Sequence, residues 1–199
     1  MEETPETQTI STYRLDPRPS RFTVRVTAGG LLSAFGHNPI IGVRDFSGEV
    51  HFDPASPQLA SLHFEVSARS LEVAGDVNDK DRREIERIMQ EQVLESDSYP
   101  TIEFQSSEVK VTSSGAGQFR AEISGELSLH GGTRQQTILA RVTASGDRLR
   151  ASGEFSIYQS EFGIQLVTVA GGALKVKDEL KASFEILASA VRTQDTAAA

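Results

Sequence analysis

Residues 118–129 read Gln-Phe-Arg-Ala-Glu-Ile-Ser-Gly-Glu-Leu-Ser-Leu, and apolar or small side chains occupy every second position from Phe119 to Leu129. Alternation of this kind places one set of side chains on one face of a pleated strand. The same pattern recurs on both sides of this stretch, from about Phe22 to Ile186, between Gly-rich turns. Many such strands in one small chain predict one shared interior, as in a closed antiparallel barrel or a sandwich.

The alternating segments are separated by short turns such as Ser145-Gly146-Asp147, which favour antiparallel neighbours and a meander. The polar segment 1–10 and the small, polar tail 190–199 are expected to be frayed, so a single domain is predicted over residues 11–189. The predicted strands lie near residues 11–15, 21–28, 43–53, 59–68, 101–112, 117–130, 134–145, 148–159 and 177–189.

One segment does not alternate. Residues 80–95 carry Ile85, Ile88, Met89 and Val93 at helical spacing, and Asn78 or Asp79 can cap the start. The pattern predicts a short amphipathic helix that caps or flanks the barrel, either as a cover for the core or as a gate.

Composition excludes several classes of function. The formal net charge of −8 argues against binding to nucleic acid or to an anionic membrane surface. The chain has no cysteine, which excludes disulfides and thiolate chemistry. No run approaches the roughly 18 apolar residues that a spanning helix needs, and the start of the chain does not resemble a secretory signal, so a cytoplasmic location is expected.

Several phrases, met in order along the chain, resemble the YceI-like family of lipocalin-like polyisoprenoid-binding proteins over about residues 11–189. The phrases are Phe-Gly-His-Asn-Pro at 35–39, Tyr-Pro-Thr-Ile-Glu-Phe-Gln-Ser at 99–106, Leu-Ser-Leu-His-Gly at 127–131 and Ser-Glu-Phe-Gly-Ile at 160–164. The resemblance implies an extended, eight-stranded antiparallel barrel around an elongated apolar pore. It also implies a bound polyisoprenoid, quinone or fatty acyl compound as ligand, no other cofactor, no catalysis and a homodimer; many similar members are periplasmic.

The inward face is rich in phenylalanine, which suits a tube for a flexible apolar chain. Gly48, Gly125 and Gly153 fall on the same face, where they either widen the pore or allow the barrel to curve. The alternative is a filled barrel, because small barrels often pack their own side chains inside. The predicted ligand-binding residues are Phe22, Val24, Phe35, His37, Phe46, Val50, Phe52, Phe64, Ile102, Phe104, Ile123, Leu127, Phe155, Ile157 and Phe162.

The histidines give no strong sign of chemistry. By parity His51 and His63 point outward from neighbouring strands, and without a third ligand they predict no metal site. His130 ends a strand and is expected to bond a backbone group. His37 lies in a loop that reaches the barrel mouth, either to meet a polar head group or to fix the loop.

Two further interpretations stay open. An enzyme on the same scaffold would use His37 as acid or base, with Glu161 or Asp45 beside it. The basic face of the predicted helix is either paired with glutamates or placed to receive a phosphate head group; it carries Arg82, Arg83 and Arg87.

Overall fold

The computed structural model describes residues 11–30, 39–169 and 174–191. Eleven strands and one α-helix occur in these ranges, and His37 and Phe35 lie outside them. The elements are β1 (Ser11–Gly30), β2 (Ile40–Val43), β3 (Phe46–Phe52), β4 (Ser61–Ser67), β5 (Leu71–Ala74), α1 (Asp79–Ile88), β6 (Thr101–Gly115), β7 (Gln118–Leu129), β8 (Gly132–Ser145), β9 (Arg148–Tyr158), β10 (Thr168–Val169) and β11 (Leu174–Ala190).

Eight of the strands close into an antiparallel barrel, which confirms the predicted architecture. Their order is β1-β3-β4-β6-β7-β8-β9-β11, and β11 pairs back onto β1. Short turns join β6 to β7, β7 to β8 and β8 to β9, as expected for a meander. The short strands β2, β5 and β10 extend the sheet at one end of this barrel.

The predicted strand limits differ from the structure around β1. Predicted strands 11–15 and 21–28 are two parts of one long β1, and predicted strand 43–53 is divided at Arg44 and Asp45 into β2 and β3. β1 changes partner along its length, from β3 at residues 11–14 to β2 at residues 23–25. A change of partner depends on contacts distant in sequence, which local alternation does not encode.

The three inward glycines are sites of close approach between strands. A Cβ at Gly48, Gly125 or Gly153 would lie 2.2–2.4 Å from a carbonyl oxygen of the adjacent strand. At Gly153 the ring of Phe184, its partner in register, also covers the backbone, 2.8 Å from the position of such a Cβ. The glycines therefore let the sheet coil tightly, the second of the two roles expected for them, and do not widen the pore.

Helix α1 is fastened to the free edge of β5. The Asn78 side chain caps the helix by accepting a hydrogen bond from the N–H of Asp81 at 3.0 Å. The carboxylate of Glu86 accepts from the N–H of Val73 at 2.9 Å, and the guanidinium of Arg82 donates to the carbonyl of the same residue. The helix thus satisfies backbone groups that a bare edge strand would expose.

The chain continues from α1 into a wider π-helical turn, Met89–Val93, and then enters the interior. Met89 and Leu94 are buried, and Ile85 and Val93 pack against the same cluster. The predicted amphipathic helix is confirmed, with its apolar stripe turned towards the barrel.

Candidate functional site

The barrel encloses an apolar cavity of about 230 Å³. Room for one water needs only about 10–15 Å³, so the interior is not packed solid as the filled-barrel alternative requires. Of the side chains that line the cavity, Ser61 and Glu103 are the polar ones, and the others are aliphatic or aromatic. Such a site offers burial to an apolar chain and almost no hydrogen-bonding groups to position a polar substrate.

The cavity extends along most of the barrel. On β9 its lining runs from Leu149 to Ile157, which corresponds to about 26 Å along a strand at ~3.3 Å per residue. Near one end Phe52 and Phe119 pack edge to face, with ring centroids 5.2 Å apart. Near the other end Leu94, which follows the helical segment, contributes to the wall. An elongated tube of this shape suits a linear chain.

A girdle of small residues crosses the middle of the barrel. Ala121, Ala140 and Gly153 lie in register on β7, β8 and β9. Both alanines line the cavity. Larger inward side chains stand above and below each alanine on its strand, so the two alanines leave space in the lumen there.

Most of the predicted ligand-binding residues face this space. Two others, Phe46 and Phe162, are buried but do not line the cavity, and Phe35 and His37 lie outside the described residues. Those that line the cavity are Phe22, Val24, Val50, Phe52, Phe64, Ile102, Phe104, Ile123, Leu127, Phe155 and Ile157.

Phe46 does not line the cavity, although it was predicted to bind the ligand. Its ring packs instead against two side chains that do line the cavity. Its ring meets the ring of Phe22 edge-on, at 6.4 Å and 79°, and lies 5.6 Å from that of Phe64. Phe22 and Phe64 are themselves 5.5 Å apart and do line the cavity. Alternation assigned the correct face of the strand, but which inward side chain reaches the lumen depends on its neighbours in the sheet.

Phe162 does not line the cavity for another reason. It belongs to a cluster of contacts that joins three of the sequence phrases quoted above. His130 Nδ1 lies 3.3 Å from the carbonyl oxygen of Phe162, and the His130 ring contacts the Tyr99 ring at a tilt of 53°, with centroids 4.6 Å apart. Gly131, at φ +73°, packs against the Tyr99 ring as well. The prediction that His130 bonds a backbone group is confirmed, and these phrases have a structural role at this end of the barrel.

The short turn that carries Phe162, Gln159–Phe162, is anchored to β11. The carboxylate of Asp178 accepts hydrogen bonds from the N–H and the hydroxyl of Ser160, at 2.8 and 2.6 Å. These hydrogen bonds hold the pKa of Asp178 below its ordinary value of 3.8. The buried Gln159 side chain donates to the carbonyl of Lys177 at 3.0 Å.

His51 and His63 lie on the outer face, as parity predicted. His51 is exposed and its Nδ1 lies 3.1 Å from Ser61 Oγ. His63 is not isolated, because its Nε2 lies 3.0 Å from Glu103 Oε1 and 3.6 Å from Glu65 Oε1. The ligand atoms of these three side chains lie within 4.8 Å of one another. Sequence reasoning missed this cluster because Glu103 comes from β6, which pairs with β4 across the whole helical insertion.

The groups named for an enzyme are not assembled around the cavity within the described part of the chain. Asp45 and Glu161 are exposed and neither lines the cavity, although the backbone carbonyl of Asp45 accepts from the N–H of Ser67 at 3.0 Å. Their proposed partner, His37, is outside the described residues.

Two of the three arginines on the basic face of α1 are already engaged, whereas Arg83 is exposed and forms no ion pair within the described residues. Arg87 donates to the carboxylates of Glu84 and Glu91, each at 2.8 Å, and these hydrogen bonds raise the pKa of Arg87 and lower that of Glu84. Arg82 is committed to backbone carbonyls near β5. Of the two roles expected for this face, the structure therefore favours pairing over capture of a head group.

The chain matches a known protein family and is similar to several curated proteins. The family model described as "YceI-like domain" matches residues 13–188. A UPF0312 protein of Azotobacter vinelandii is 30% identical over 141 residues, which cover 67% of this chain and 68% of that protein. A second UPF0312 protein, from Vibrio cholerae, is 31% identical over 128 residues, 61% of this chain and 62% of its own.

Two solved structures share the fold. Burkholderia cenocepacia BcnA superposes with a TM-score of 0.66 and 19% identity over 88% of this chain and 99% of its own. A polyisoprenoid binding domain from Saccharophagus degradans superposes with a TM-score of 0.65 and 14% identity over 92% of this chain and 100% of its own. Within the described residues, none of the helical segments is both long and apolar enough to cross a bilayer.

Proposed function

Since this chain belongs to the YceI-like domain family, we propose that it is a binding protein without catalytic activity, which holds a long apolar amphiphile in the lumen of its barrel. The ligand is of polyisoprenoid, quinone or fatty acyl type, and the role is carriage, storage or sequestration. The observation that carries the proposal is the elongated apolar cavity of about 230 Å³. The polyisoprenoid binding domain of Saccharophagus degradans, which has the same fold, supports the ligand class.

Burial of apolar surface can provide the affinity for such a ligand, so precisely placed polar groups are not required. Burial of apolar surface contributes about 0.8 kcal/mol per methylene, so a five-carbon isoprene unit contributes roughly 3–4 kcal/mol at most. Association and ordering of a flexible chain cost several kcal/mol, and micromolar affinity corresponds to about 8 kcal/mol net. A few buried isoprene units are therefore enough, and the aromatic lining tolerates sliding of the chain.

Two measurements test the proposal. Native mass spectrometry of the purified protein is expected to show an added mass that organic extraction removes. The extracted protein is then expected to bind the neutral dye N-phenyl-1-naphthylamine with a rise in fluorescence, since the dye enters a water-free space. Failure to recover a lipid together with failure to bind the dye would exclude the proposed function.

The oligomeric state is part of the same proposal. We expect a homodimer, because the sheet ends in the short strands β5 and β10 and exposed strand edges favour pairing with another chain. The edge of β5 is covered by α1, which leaves β10 as the candidate edge among the strands of the described residues.

A further inference from the structure

The hydrogen-bond ladder of the barrel is interrupted on one side of β1. Pairing with β3 ends at Arg14, opposite Glu49, and pairing with β2 begins at Thr23, opposite Gly42. Residues 15–22 have no partner strand on this side in the described part of the chain. The sheet that closes the barrel elsewhere is therefore interrupted along this stretch.

The same stretch bulges away from its other neighbour. Asp16 is in register with Leu187 but Arg21 is in register with Glu185, so extra residues of β1 are accommodated between them. Two of these residues, Pro17 and Pro19, have no N–H to donate to a ladder. Ser20 closes the bulge: its hydroxyl donates to the carbonyl of Asp16 at 2.5 Å and accepts from the N–H of Leu187 at 2.9 Å.

A polar depression lies at this interruption, and three arginines line it. Arg18 and Arg21 come from the bulge of β1, and Arg44 directly follows β2. All three are exposed, and within the described residues neither Arg18 nor Arg21 forms an ion pair. A concentration of positive charge here is notable in a chain whose net charge is −8.

The carboxylates near the depression do not neutralise it. Glu185 lines it but is paired with Arg150, and Glu72 is paired with Arg44 at 2.6 Å. Arg18 and Arg21 are thus left to attract an anion from solution. Guanidinium groups bind carboxylate and phosphate oxygens through two parallel hydrogen bonds, which makes arginine well suited to this task.

The depression and the apolar cavity share walls. Phe22 and Val43 line both of them. The depression therefore lies next to the lumen at these two residues.

We propose that Arg18 and Arg21, in the arginine depression, bind the anionic head group, a carboxylate or phosphate, of an amphiphile whose tail occupies the barrel. This inference rests on the proposed function and specifies its ligand class: an anionic lipid is bound in preference to a neutral one of the same length. In this arrangement head and tail separate at the interrupted stretch of β1, between the depression and the lumen.

The test compares three twelve-carbon compounds on extracted protein loaded with N-phenyl-1-naphthylamine: dodecanoic acid, dodecyl phosphate and dodecanol. The acid and the phosphate are expected to displace the dye at about tenfold lower concentration than dodecanol, since one charge-assisted contact is worth about that factor. In the double variant R18Q/R21Q this preference is expected to disappear, while the affinities for the dye and for dodecanol stay unchanged. Added salt is expected to reduce the preference in the unmodified protein.

The matched control is R120Q/R141Q, which removes the same charge from the outer face of β7 and β8. Arg120 and Arg141 are exposed and opposite each other in register, and neither lines the depression. The control is expected to retain the full preference for the anionic compounds. Loss of the preference in the control as well would overturn the inference, because net charge alone would then explain it.

The remaining outcomes separate the inference from the proposed function. If the dye binds and dodecanol displaces it as well as dodecanoic acid does, the lipid-binding function stands and the arginine site is rejected. Inorganic phosphate is titrated calorimetrically into extracted protein as a further arm. If R18Q/R21Q loses phosphate binding but retains the preference for dodecanoic acid, the arginines bind a free anion and the head-group site is rejected.

Discussion

Single residues decide whether the lumen of the barrel is continuous. Along β8 the inward side chains Ile138, Ala140 and Val142 all line the cavity, and only the middle one is small. Its neighbours in register, Ala121 and Gly153, are small too. At Ala121 and Ala140 this belt leaves a passage in the lumen, which larger residues at these two positions would narrow.

Substitution of Ala140 by phenylalanine is expected to obstruct the lumen. The new ring fills space at the belt, so the affinity for N-phenyl-1-naphthylamine should fall by about tenfold or more, with a loss of stability of about 1–3 kcal/mol from overpacking. Dye titration measures the first effect and urea unfolding the second. The control is Leu139→Phe, at an outward position of the same strand that is 61% exposed, and it should change neither. Dye binding by Ala140→Phe as tight as that of the control would contradict the passage.

At the scale of elements, the contacts of α1 explain how a helix can sit in an otherwise all-β chain. Its side chains take over the hydrogen bonds that a further strand beside β5 would make. Val73, the residue they reach, is 1% exposed, so its backbone groups have no access to water. The docking of the helix therefore depends on specific partners as well as on its apolar stripe.

Replacing Glu86 by alanine is expected to lower the free energy of unfolding by about 1–3 kcal/mol, because the N–H of Val73 would be left buried without an acceptor. The matched substitution is Glu84→Ala on the same helix, which removes only an exposed pair with Arg87 and should have little effect. Urea unfolding of both variants measures the difference. Equal losses in the two variants would show that Glu86 has no special role at the β5 edge.

At the scale of the whole molecule, the cavity couples ligand binding to stability. A ligand held inside the closed barrel binds the folded chain and not the unfolded one. At about 100 times the dissociation constant this contributes about 2.7 kcal/mol to the folded state.

Dodecanol at this concentration is therefore expected to raise the unfolding temperature of the extracted protein by about 5–10 °C, measured by scanning calorimetry. The Ala140→Phe variant, assayed at the same dodecanol concentration, should show a clearly smaller rise. A rise of the same size in both proteins would indicate binding outside the lumen.

The alternation of residues 118–129 and its repeats predicted antiparallel strands around one interior, in a barrel or a sandwich, because the direction of a side chain in a strand follows from local backbone geometry with a period of two. The family resemblance then favoured the barrel. The same local rule placed His51 and His63 outside and most of the predicted cavity residues inside. The amphipathic pattern of residues 80–95 predicted α1 in the same way.

Only the tertiary structure decided which strands meet and where the ladder of β1 is interrupted. The partner change of β1, the support of Phe22 by Phe46, and the cluster of His63 with Glu65 and Glu103 each join residues far apart in sequence. The arginine depression arises in the same way, from β1 and β2 together. Cross-strand register results from the packing of the whole sheet, so no local period in the sequence specifies these neighbours.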